Sequence, residues 1–436
     1  MDWTDWSSRC PTGDCQRATE ELHSMIVLTN PVSSGTALAR AFDERTSDTL
    51  RIYTPELVPA DHGDRTLVHQ DLEETCVTLA RAGASHVVAA SEYGVTLADE
   101  LNHRLGLPGN DPFLSGARRD KYLMIRAINE ARVPIGNAVM VQSIAEMTAA
   151  LDGCEFPIMV KPVDSAGSDG CRVCPDRLAA HRAGAAVLGN RNLLGRNNDR
   201  VLLQEYISGP QYVVNTVSIG GTHLLSDYYH CRIDEVEGGA PVYRHMRAPQ
   251  LLDDRDHDVI RYTLRCLDAL GIKEGAAHSE VRMTSNGPRM VEVNSRVMGP
   301  CLEPDPYFAA LGTTHQHATA ERYLDPEAFR ARFQMPYRAR KHLAKVFLRA
   351  HSEGTISAVP GLAALRRLPN LHTVVGVPGA GTTVRDRLLT TGFTGIAFLV
   401  DDDGDRLTES LATIHDLENA GQLFDIVPDD RLNRKA

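Results

Sequence analysis

The sequence lacks several features that would place it in common protein classes. No run of about 18 apolar residues is present, so no segment is predicted to span a membrane. It contains no Gly-Lys dipeptide, which excludes a Walker A loop. Its net charge of −11 argues against nucleic acid or an anionic membrane as the main partner. Residues 1–24 lack the basic start and apolar stretch of a secretion signal, and the odd count of nine cysteines favours reduced thiols. We therefore expect a cytoplasmic protein.

Lysine is scarce in this chain. Of the 46 basic residues only six are lysine, and all others are arginine. The six are Lys121, Lys161, Lys273, Lys341, Lys345 and Lys435. In so arginine-rich a sequence, lysine is retained by chance or where a compact ammonium group is needed. A lysine that lies next to another chemical motif is therefore a candidate functional residue.

What is present is ordinary globular composition, with 42% hydrophobic and 24% charged residues over 436 positions. A single hydrophobic core stops growing at about 250–300 residues, so two or more domains are expected. Alternating apolar runs and helical patterns predict a small doubly wound parallel sheet in the first 110 residues, with a helix at Val95–Leu105 that ends at Gly106. A dense series of strand patterns between residues 201 and 293 predicts an antiparallel sheet.

Polar residues in two neighbouring strand patterns form the strongest local motif. Glu292, Asn294 and Arg296 are two residues apart, so an extended chain would present them on one face. Glu280 lies on the preceding strand pattern, across a predicted Asn286-Gly287 hairpin turn. Carboxylate and amide oxygens suit Mg²⁺ with bound phosphates, and an arginine could grip a phosphoryl group. Taken alone, the motif fits a solvated polar strand face about equally well.

A second motif joins an apolar strand ending in Lys161 to the small-residue loop 165–170. Small residues let backbone N–H groups approach phosphate oxygens, and a nearby ammonium neutralises their charge. The alternative is a flexible turn, which the preceding lysine makes less satisfactory. The segment QEYISGPQ at 204–211 reads as a strand that ends in a tight turn and says little by itself.

Together and in this order, these residues resemble the ATP-grasp superfamily. The resemblance implies that ATP is bound by Lys121, Lys161, Ser165, Gly167, Ser168, Gln204, Glu205, Tyr206, Ile207 and Gln211. It makes Glu280, Glu292 and Asn294 the ligands of Mg²⁺, expected as two ions for which Mn²⁺ could substitute, and Arg296 and Lys161 the catalytic residues. Two of the six lysines fall on positions where the family has lysine. Position 211 is Gln where the family commonly has a Glu that accepts from ribose, so weakened ATP binding is expected.

The resemblance also implies an architecture of α/β and α+β type. We expect a Rossmann-like pre-ATP-grasp domain at 24–110, a helical connection at 111–137, a mobile lid subdomain at 138–207, the catalytic antiparallel sheet at 208–325 and a C-terminal α+β ligase domain at 340–430. Within the superfamily, the stretches SEYGVTLADELNHRLGLPGN, QYVVNTVSIGGTH and HSEVRMTSNGPRMVEVNSR look most similar to L-amino-acid ligases, which make dipeptides.

The activity that this implies is ATP-dependent ligation of one amino acid's carboxylate to another's amine through an acyl-phosphate, in specialised metabolism such as antibiotic biosynthesis. Small-molecule amino acids, and possible homodimerisation, are the expected partnerships. Residues considered for substrate binding are Glu92, His245, Arg247, Met298 and Gly299. We expect His278 to brace the metal strands, and His315 and His317 to face solvent. The alternatives are a ligase for another acid, of the purine-pathway or carboxylase-like type, and a nucleotide-binding regulator without turnover.

Overall fold

The computed structural model describes residues 25–236, 239–300, 303–385 and 392–428; the predictions made for residues 1–24 lie outside this part of the chain. Four short strands near its start form a parallel sheet in the order β3-β2-β1-β4. They are β1 (Met25–Thr29), β2 (Thr49–Tyr53), β3 (Thr66–Val68) and β4 (Ala84–Ala89). Helices α1 (Ser34–Asp43), α2 (Leu72–Arg81) and α3 (Val95–Leu105) connect or follow them. The predicted parallel sheet and the end of α3 at the left-handed Gly106 are confirmed.

A second, antiparallel sheet in the order β5-β8-β6-β7 follows helix α4 (Lys121–Glu130). Its strands are β5 (Ala138–Val141), β6 (Ile158–Pro162), β7 (Arg172–Cys174) and β8 (Val201–Glu205). Helices α5 (Ile144–Ala150) and α6 (Arg177–Val187) cover one face, where Val160, Val201 and Met147 are buried. This sheet coincides with the predicted lid segment.

The largest sheet has eight strands in the order β13-β12-β9-β10-β11-β14-β18-β16. The first five in chain order are β9 (Gln211–Ile219), β10 (Thr222–Val236), β11 (Ala240–Ala248), β12 (Gly275–Thr284) and β13 (Gly287–Asn294). Helices α7 (Asp254–Ala269), α8 (Asp305–Leu311), α9 (His315–Leu324) and α10 (Pro326–Phe333) belong to this region. The predicted antiparallel sheet and its Asn286-Gly287 hairpin turn are confirmed.

The C-terminal segment extends the large sheet. Its elements are β14 (His342–Phe347), β15 (Gly354–Ala358), α11 (Gly361–Leu365), β16 (Leu371–Val375), β17 (Thr383–Val384), β18 (Ile396–Asp401), α12 (Gly404–Asn419) and β19 (Asp425–Val427). Strand β14 pairs with β11, and β15, β17 and β19 form a separate small sheet. The large sheet therefore continues across the domain boundary predicted between residues 325 and 340. The boundary stays a prediction about how the sequence divides into domains.

Helix α9 was expected to be exposed because it carries His315, Gln316 and His317, and this expectation is wrong. His315 is 2% exposed and His317 is 9% exposed. The His315 ring bridges two backbone groups: Nδ1 accepts from Met298 N at 3.0 Å, and Nε2 lies 3.1 Å from the Thr216 carbonyl oxygen. Polar residues thus occupy a buried helix because their hydrogen bonds are satisfied there.

The N-terminal sheet packs against the large sheet. Ile26, Leu38 and Phe42 share a buried apolar cluster with Ala276 and Ala320 of the large-sheet region. This packing brings the loops after β1 and β4 to the end of hairpin β12–β13. No helix in the described part of the chain is long and apolar enough to cross a bilayer.

Candidate active site

A cavity of about 380 Å³ lies where the three regions of the chain meet. Most of the predicted site residues line it: Glu92, Lys121, Lys161, Ser165, Gly167, Ser168, Gln204, Glu205, Tyr206, Ile207, Gln211, Glu280, Glu292, Asn294, Arg296 and Gly299. They come from segments up to about two hundred residues apart in sequence. The fold therefore brings together motifs that the sequence offered separately.

Strands β12 and β13 place the predicted metal ligands side by side. Glu280 is directly opposite Glu292, and His278 is opposite Asn294. Strand alternation was expected to turn Val291 into the core, but a register shift after Glu280 lets Val291 line the cavity as well, whereas Val293 is buried. Two carboxylates and an amide oxygen converge here, and hard oxygen donors suit a hard divalent cation.

Glu280 is held by two donors on a single oxygen. The Tyr243 hydroxyl donates to Oε2 at 2.7 Å, and the Gln211 amide Nε2 donates to the same atom at 2.8 Å. His278 is braced by Asn215 at 2.9 Å, and its Nε2 lies 3.7 Å from Glu280 Oε1. Burial raises the pKa of Glu280, but the hydrogen bonds from His278 and Tyr243 outweigh burial and hold that pKa below its usual value. The carboxyl is therefore ionised, and both hydrogen-bond donors lie on Oε2.

Both predicted nucleotide lysines are buried. Lys121 Nζ lies 2.8 Å from Glu292 Oε1 and donates to the Ser165 carbonyl at 2.9 Å, and this pairing raises its pKa despite burial. Lys161 is 4% exposed, and no carboxylate of the described residues lies within ion-pair distance of it. Burial, and then the charge of Lys121, lower the pKa of Lys161. The site thus holds an ammonium group whose charge is not balanced locally.

The small-residue loop after β6 lies against these lysines. Gly167 has φ 65° and Ser168 φ 61°, so the loop turns through the left-handed region. Asp169 accepts hydrogen bonds from the Ser165 hydroxyl and from Leu193 N, both at 2.8 Å. These bonds fasten the loop to the segment around residue 193, which also lines the cavity.

The segment from Gln204 to Ile207 lines the cavity at the end of β8, the strand paired with the one that carries Lys161. The Gln204 amide nitrogen is buried and has no hydrogen-bond partner among the described residues. Arg282 NH1 donates to the Ile207 carbonyl at 2.8 Å and to the Tyr206 hydroxyl at 3.1 Å. The buried, unpartnered amide is a donor that a heterocyclic base could satisfy.

Gln211 does not present its carbonyl to the cavity in the way the sequence suggested. Its Oε1 accepts from Arg282 Nε at 3.1 Å, while its Nε2 donates to Glu280. The Gln211 side chain therefore connects the 204–207 segment, through Arg282, to the predicted metal ligand Glu280. A ribose contact through Gln211 Oε1 would have to share that oxygen with Arg282.

Arg296 lies just beyond the end of β13, not within the strand as expected, and still faces the cavity. Its Nε donates to Glu92 Oε2 at 2.7 Å. Glu92 also pairs with Arg119, and Arg119 NH2 donates to Asp164 Oδ1 at 2.6 Å. These ion pairs join the N-terminal region, the end of hairpin β12–β13 and the start of the small-residue loop. Glu92 was considered only for substrate binding, and the structure gives it these arginine partners.

Three residues considered for substrate binding do not line the cavity. Strand β11 has a register shift at Arg244, so Tyr243 and Met246 share one face while His245 and Arg247 turn to the other. His245 Nδ1 lies 2.8 Å from His415 Nε2, and Arg247 donates to Thr408 at 2.9 Å, both on α12. Met298 is 3% exposed, and its sulfur accepts from Asn215 Nδ2 at 3.3 Å. The bulge and the buried packing explain these corrections.

Sequence reasoning missed several residues of the cavity. Ser34, Tyr243 and Arg282 line it, but none of them was among the predicted site residues. Cys171, read as part of a loop, lines the cavity beside the two lysines, and burial raises its pKa. The alternation around Glu280 could have identified Arg282, which lies two residues further on the same strand.

Comparison with known proteins agrees with this geometry. Residues 154–305 match the family model described as the ATP-grasp domain. Dapdiamide A synthase of Enterobacter agglomerans is 32% identical over 353 residues, which is 77% of this chain and 82% of that protein. Alanine–anticapsin ligase of Bacillus subtilis is 23% identical over 264 residues, 56% of this chain and 55% of that enzyme.

The fold is also found among solved structures. The L-amino acid ligase from Bacillus licheniformis superimposes with a TM-score of 0.71 at 15% identity, covering 93% of this chain and 99% of that one. Phosphoribosylglycinamide synthetase from Anaerococcus prevotii superimposes with a TM-score of 0.61 at 14% identity, covering 93% and 100%. Together with the dapdiamide synthase match, these findings identify the family. The chain belongs to the ATP-grasp family of ATP-dependent ligases, which use ATP with a divalent metal ion, within the group that includes the amino-acid ligases.

Proposed function

We propose that this enzyme joins the carboxylate of one amino acid to the amine of another. A carboxylate oxygen attacks the γ-phosphorus of ATP, and ADP leaves, which gives an acyl-phosphate. The neutral amine then attacks the acyl carbon, phosphate leaves, and the nitrogen loses a proton to give the amide. The family of the chain and its dapdiamide synthase relative support this reaction. The buried lysine side chains of the cavity support it as well, because they suit an anionic nucleotide.

The observation that carries the proposal is the pairing of Lys161 and Lys121 beside two carboxylates in one cavity. Two buried ammonium groups in one cavity, where burial and the charge of Lys121 lower the pKa of Lys161, are costly unless an anion joins them. A nucleotide polyphosphate supplies that anion, and the loop 165–170 would offer backbone N–H groups to it. An uncharged ligand would leave Lys161 uncompensated.

The part of the cavity lined by the 204–207 segment suits adenosine. Gln204 has a buried amide without a partner among the described residues, and the 205–207 backbone borders the cavity. Arg282 would hold the Ile207 carbonyl in place while the base is read. The acyl chemistry would then occur near Arg296, which would neutralise the transferred phosphoryl group.

Glu280, Glu292 and Asn294 fit Mg²⁺ because all three offer hard oxygen atoms. No group of three or more His, Cys, Asp or Glu side chains suited to a metal occurs in the described ranges, so the nucleotide's own oxygens would complete the coordination. When bound, Mg²⁺ neutralises phosphate charge and orients the γ-phosphoryl group. Two ions, with Mn²⁺ able to substitute, are part of the proposal.

We further propose a cytoplasmic, homodimeric enzyme of specialised metabolism. The lid at 138–207 would close over the acyl-phosphate and exclude water, because that intermediate hydrolyses easily. Arg119 and Asp164, which join the small-residue loop to Glu92, would hold the loop in its closed position. Antibiotic biosynthesis is proposed by analogy with the named activities of the relatives.

The test is to incubate the protein with ATP, Mg²⁺ and pools of amino acids, and to measure ADP, AMP, phosphate and new amide masses. ADP and phosphate formed only with particular amino-acid pairs, together with an amide, would support the proposal. AMP and pyrophosphate would contradict it. The Arg296→Ala variant should lose about a thousandfold in kcat, whereas Arg289→Ala, on the same hairpin outside the cavity, should retain activity.

A further inference from the structure

The N-terminal end of helix α1 opens on the cavity at the side of Arg296. Ser33 and Ser34 both line the cavity, as does Gly299. A Cβ atom on Gly299 would lie 2.9 Å from Ser34 Cβ, so the catalytic loop and the helix end are in direct contact. A Cβ on Gly35 would lie 2.8 Å from the Ala90 carbonyl oxygen, which only glycine permits. The helix end is therefore pressed against the site by close packing.

The first turn of α1 has donors to offer. Gly35 N donates to Val32 O and Thr36 N donates to Ser33 O, but no described residue accepts from Ser34 N. Ser33 makes no side-chain cap bond, and the first turn contains no acidic residue. The unsatisfied Ser34 N–H and the helix dipole make this end attractive to an anion.

A separate observation indicates a ligand. The Ser34 side chain is 8% exposed and lines the cavity, and its hydroxyl has no hydrogen-bond partner in the described part of the chain. Ser34 is more than nine-tenths buried and its hydroxyl can be reached only from the cavity, so its position points to a hydrogen-bonding group supplied by a ligand there.

The cavity's cationic side chains are either engaged by protein groups or assigned to the nucleotide in the proposed function. Lys121 pairs with Glu292, and Arg296 pairs with Glu92. Arg282 donates to the Ile207 carbonyl in the 204–207 segment, and Lys161 lies at the small-residue loop beside Lys121. An anion that does not belong to the nucleotide or the transferred phosphoryl group is therefore left with the α1 end and Ser34.

We propose that the α1 N-terminus and the Ser34 hydroxyl bind the α-carboxylate of the amino acid that supplies the amine. This inference rests on the proposed function. The acyl donor's reacting carboxylate must meet the γ-phosphoryl group between the metal ligands and Arg296, so it cannot remain at α1. The amine donor's carboxylate survives in the product and needs a binding group of its own. The enzyme should consequently require an amino acid with a free carboxylate as nucleophile.

The experiment compares an accepted amine-donating amino acid with its carboxamide, in the wild-type protein and in Ser34→Ala. The KM for the amino acid should rise about tenfold in Ser34→Ala, because a hydrogen bond to a charged group is lost. The KM for the carboxamide should be the same in both proteins. The matched control is Thr36→Ala, which removes an exposed hydroxyl two residues along the same helix and should change neither value.

A second measurement separates this inference from the proposed function. Hydroxylamine traps an acyl-phosphate as a hydroxamate without any amine-donating amino acid. Wild type and Ser34→Ala should form hydroxamate at equal rates from the acyl donor and ATP. The subsite is refuted if Ser34→Ala raises the KM of the acyl donor instead, or leaves the amino-acid KM unchanged. Absence of hydroxamate in wild type would refute the acyl-phosphate mechanism itself.

Discussion

At the scale of single residues, Glu280 shows how this chain directs a carboxylate. Both of its strong donors, Tyr243 and Gln211, reach Oε2, so Oε1 is left for a cation. Burial raises the pKa of Tyr243 well above its usual value, because the phenolate would be charged in a low-dielectric site next to Glu280. Tyr243 is thus a hydrogen-bond donor at every working pH.

The Tyr243→Phe variant should bind the divalent metal more weakly. Losing one of the two donors on Oε2 holds Glu280 less firmly, and the loss of a hydrogen-bonding group around a metal ligand costs roughly 10–100-fold in metal affinity or activity. Activity measured against Mg²⁺ concentration should show a higher half-saturation value, and excess Mg²⁺ should partly restore the rate.

The control for this prediction is Tyr337→Phe. Tyr337 also donates a buried hydrogen bond, to the Pro249 carbonyl at 3.1 Å, but it does not line the cavity. The Tyr243 hydroxyl also accepts from the Gln211 amide, so Tyr243→Phe loses two hydrogen bonds where Tyr337→Phe loses one, and the free energy of unfolding of both variants is measured beside their Mg²⁺ requirement. An equal rise in the Mg²⁺ requirement of Tyr337→Phe would show that the effect is general destabilisation.

At the scale of elements, the small-residue loop and the segment around residue 193 close the cavity as a pair. Asp169 accepts from the Ser165 hydroxyl and from Leu193 N, and Asn192 donates to the Asp164 carbonyl at 2.7 Å. The lid sheet itself makes few of these contacts. The order of the two loops therefore depends on a small number of hydrogen bonds.

The Asp169→Ala variant should loosen both loops and admit water to the acyl-phosphate. We expect ADP release to exceed amide formation, with a ratio above that of wild type by severalfold. Chromatography of ADP and product from the same reaction measures this ratio. Asp199→Ala, which removes an exposed carboxylate bonded to its neighbour Arg200, should keep the two amounts equal. A tightly coupled Asp169→Ala enzyme would mean that other contacts hold the loops.

The elements also show what sequence could predict. Period-two alternation identified Glu292 and Asn294 as neighbours on one face, and scarce lysine identified Lys121 and Lys161. The failures occur where the alternation is broken: the bulge at Arg244 turned His245 and Arg247 to α12, and the shift beside Glu280 exposed Val291. A bulge depends on the pairing of two strands, which one strand's sequence does not encode. Helix α9 was misjudged because its buried partners, Met298 and Thr216, come from distant segments.

At the scale of the whole molecule, buried neutral histidines lie where the regions pack together. Burial lowers the pKa of His315 to about 4 and that of His245 to about 3. His315 has a further requirement, since Nδ1 must be unprotonated to accept from Met298 N. Protonating it would break a contact that holds the loop bearing Gly299. Acid should therefore affect stability and the active site together.

We predict that the free energy of unfolding falls as the pH drops from about 7 to about 4. Unfolded histidine has a pKa near 6.5, so below that pH the unfolded chain binds protons that the folded chain refuses, and stability declines until the folded pKa is passed. Each buried histidine contributes at most about 1.4 kcal/mol per pH unit.

Urea unfolding at pH 7, 6 and 5 measures the slope. In the His315→Gln variant, whose amide can accept and donate without titrating, the slope of the free energy of unfolding against pH should be shallower by up to that amount. His62→Gln, at an exposed position, should keep the wild-type slope. Equal slopes in all three proteins would place the acid sensitivity outside His315.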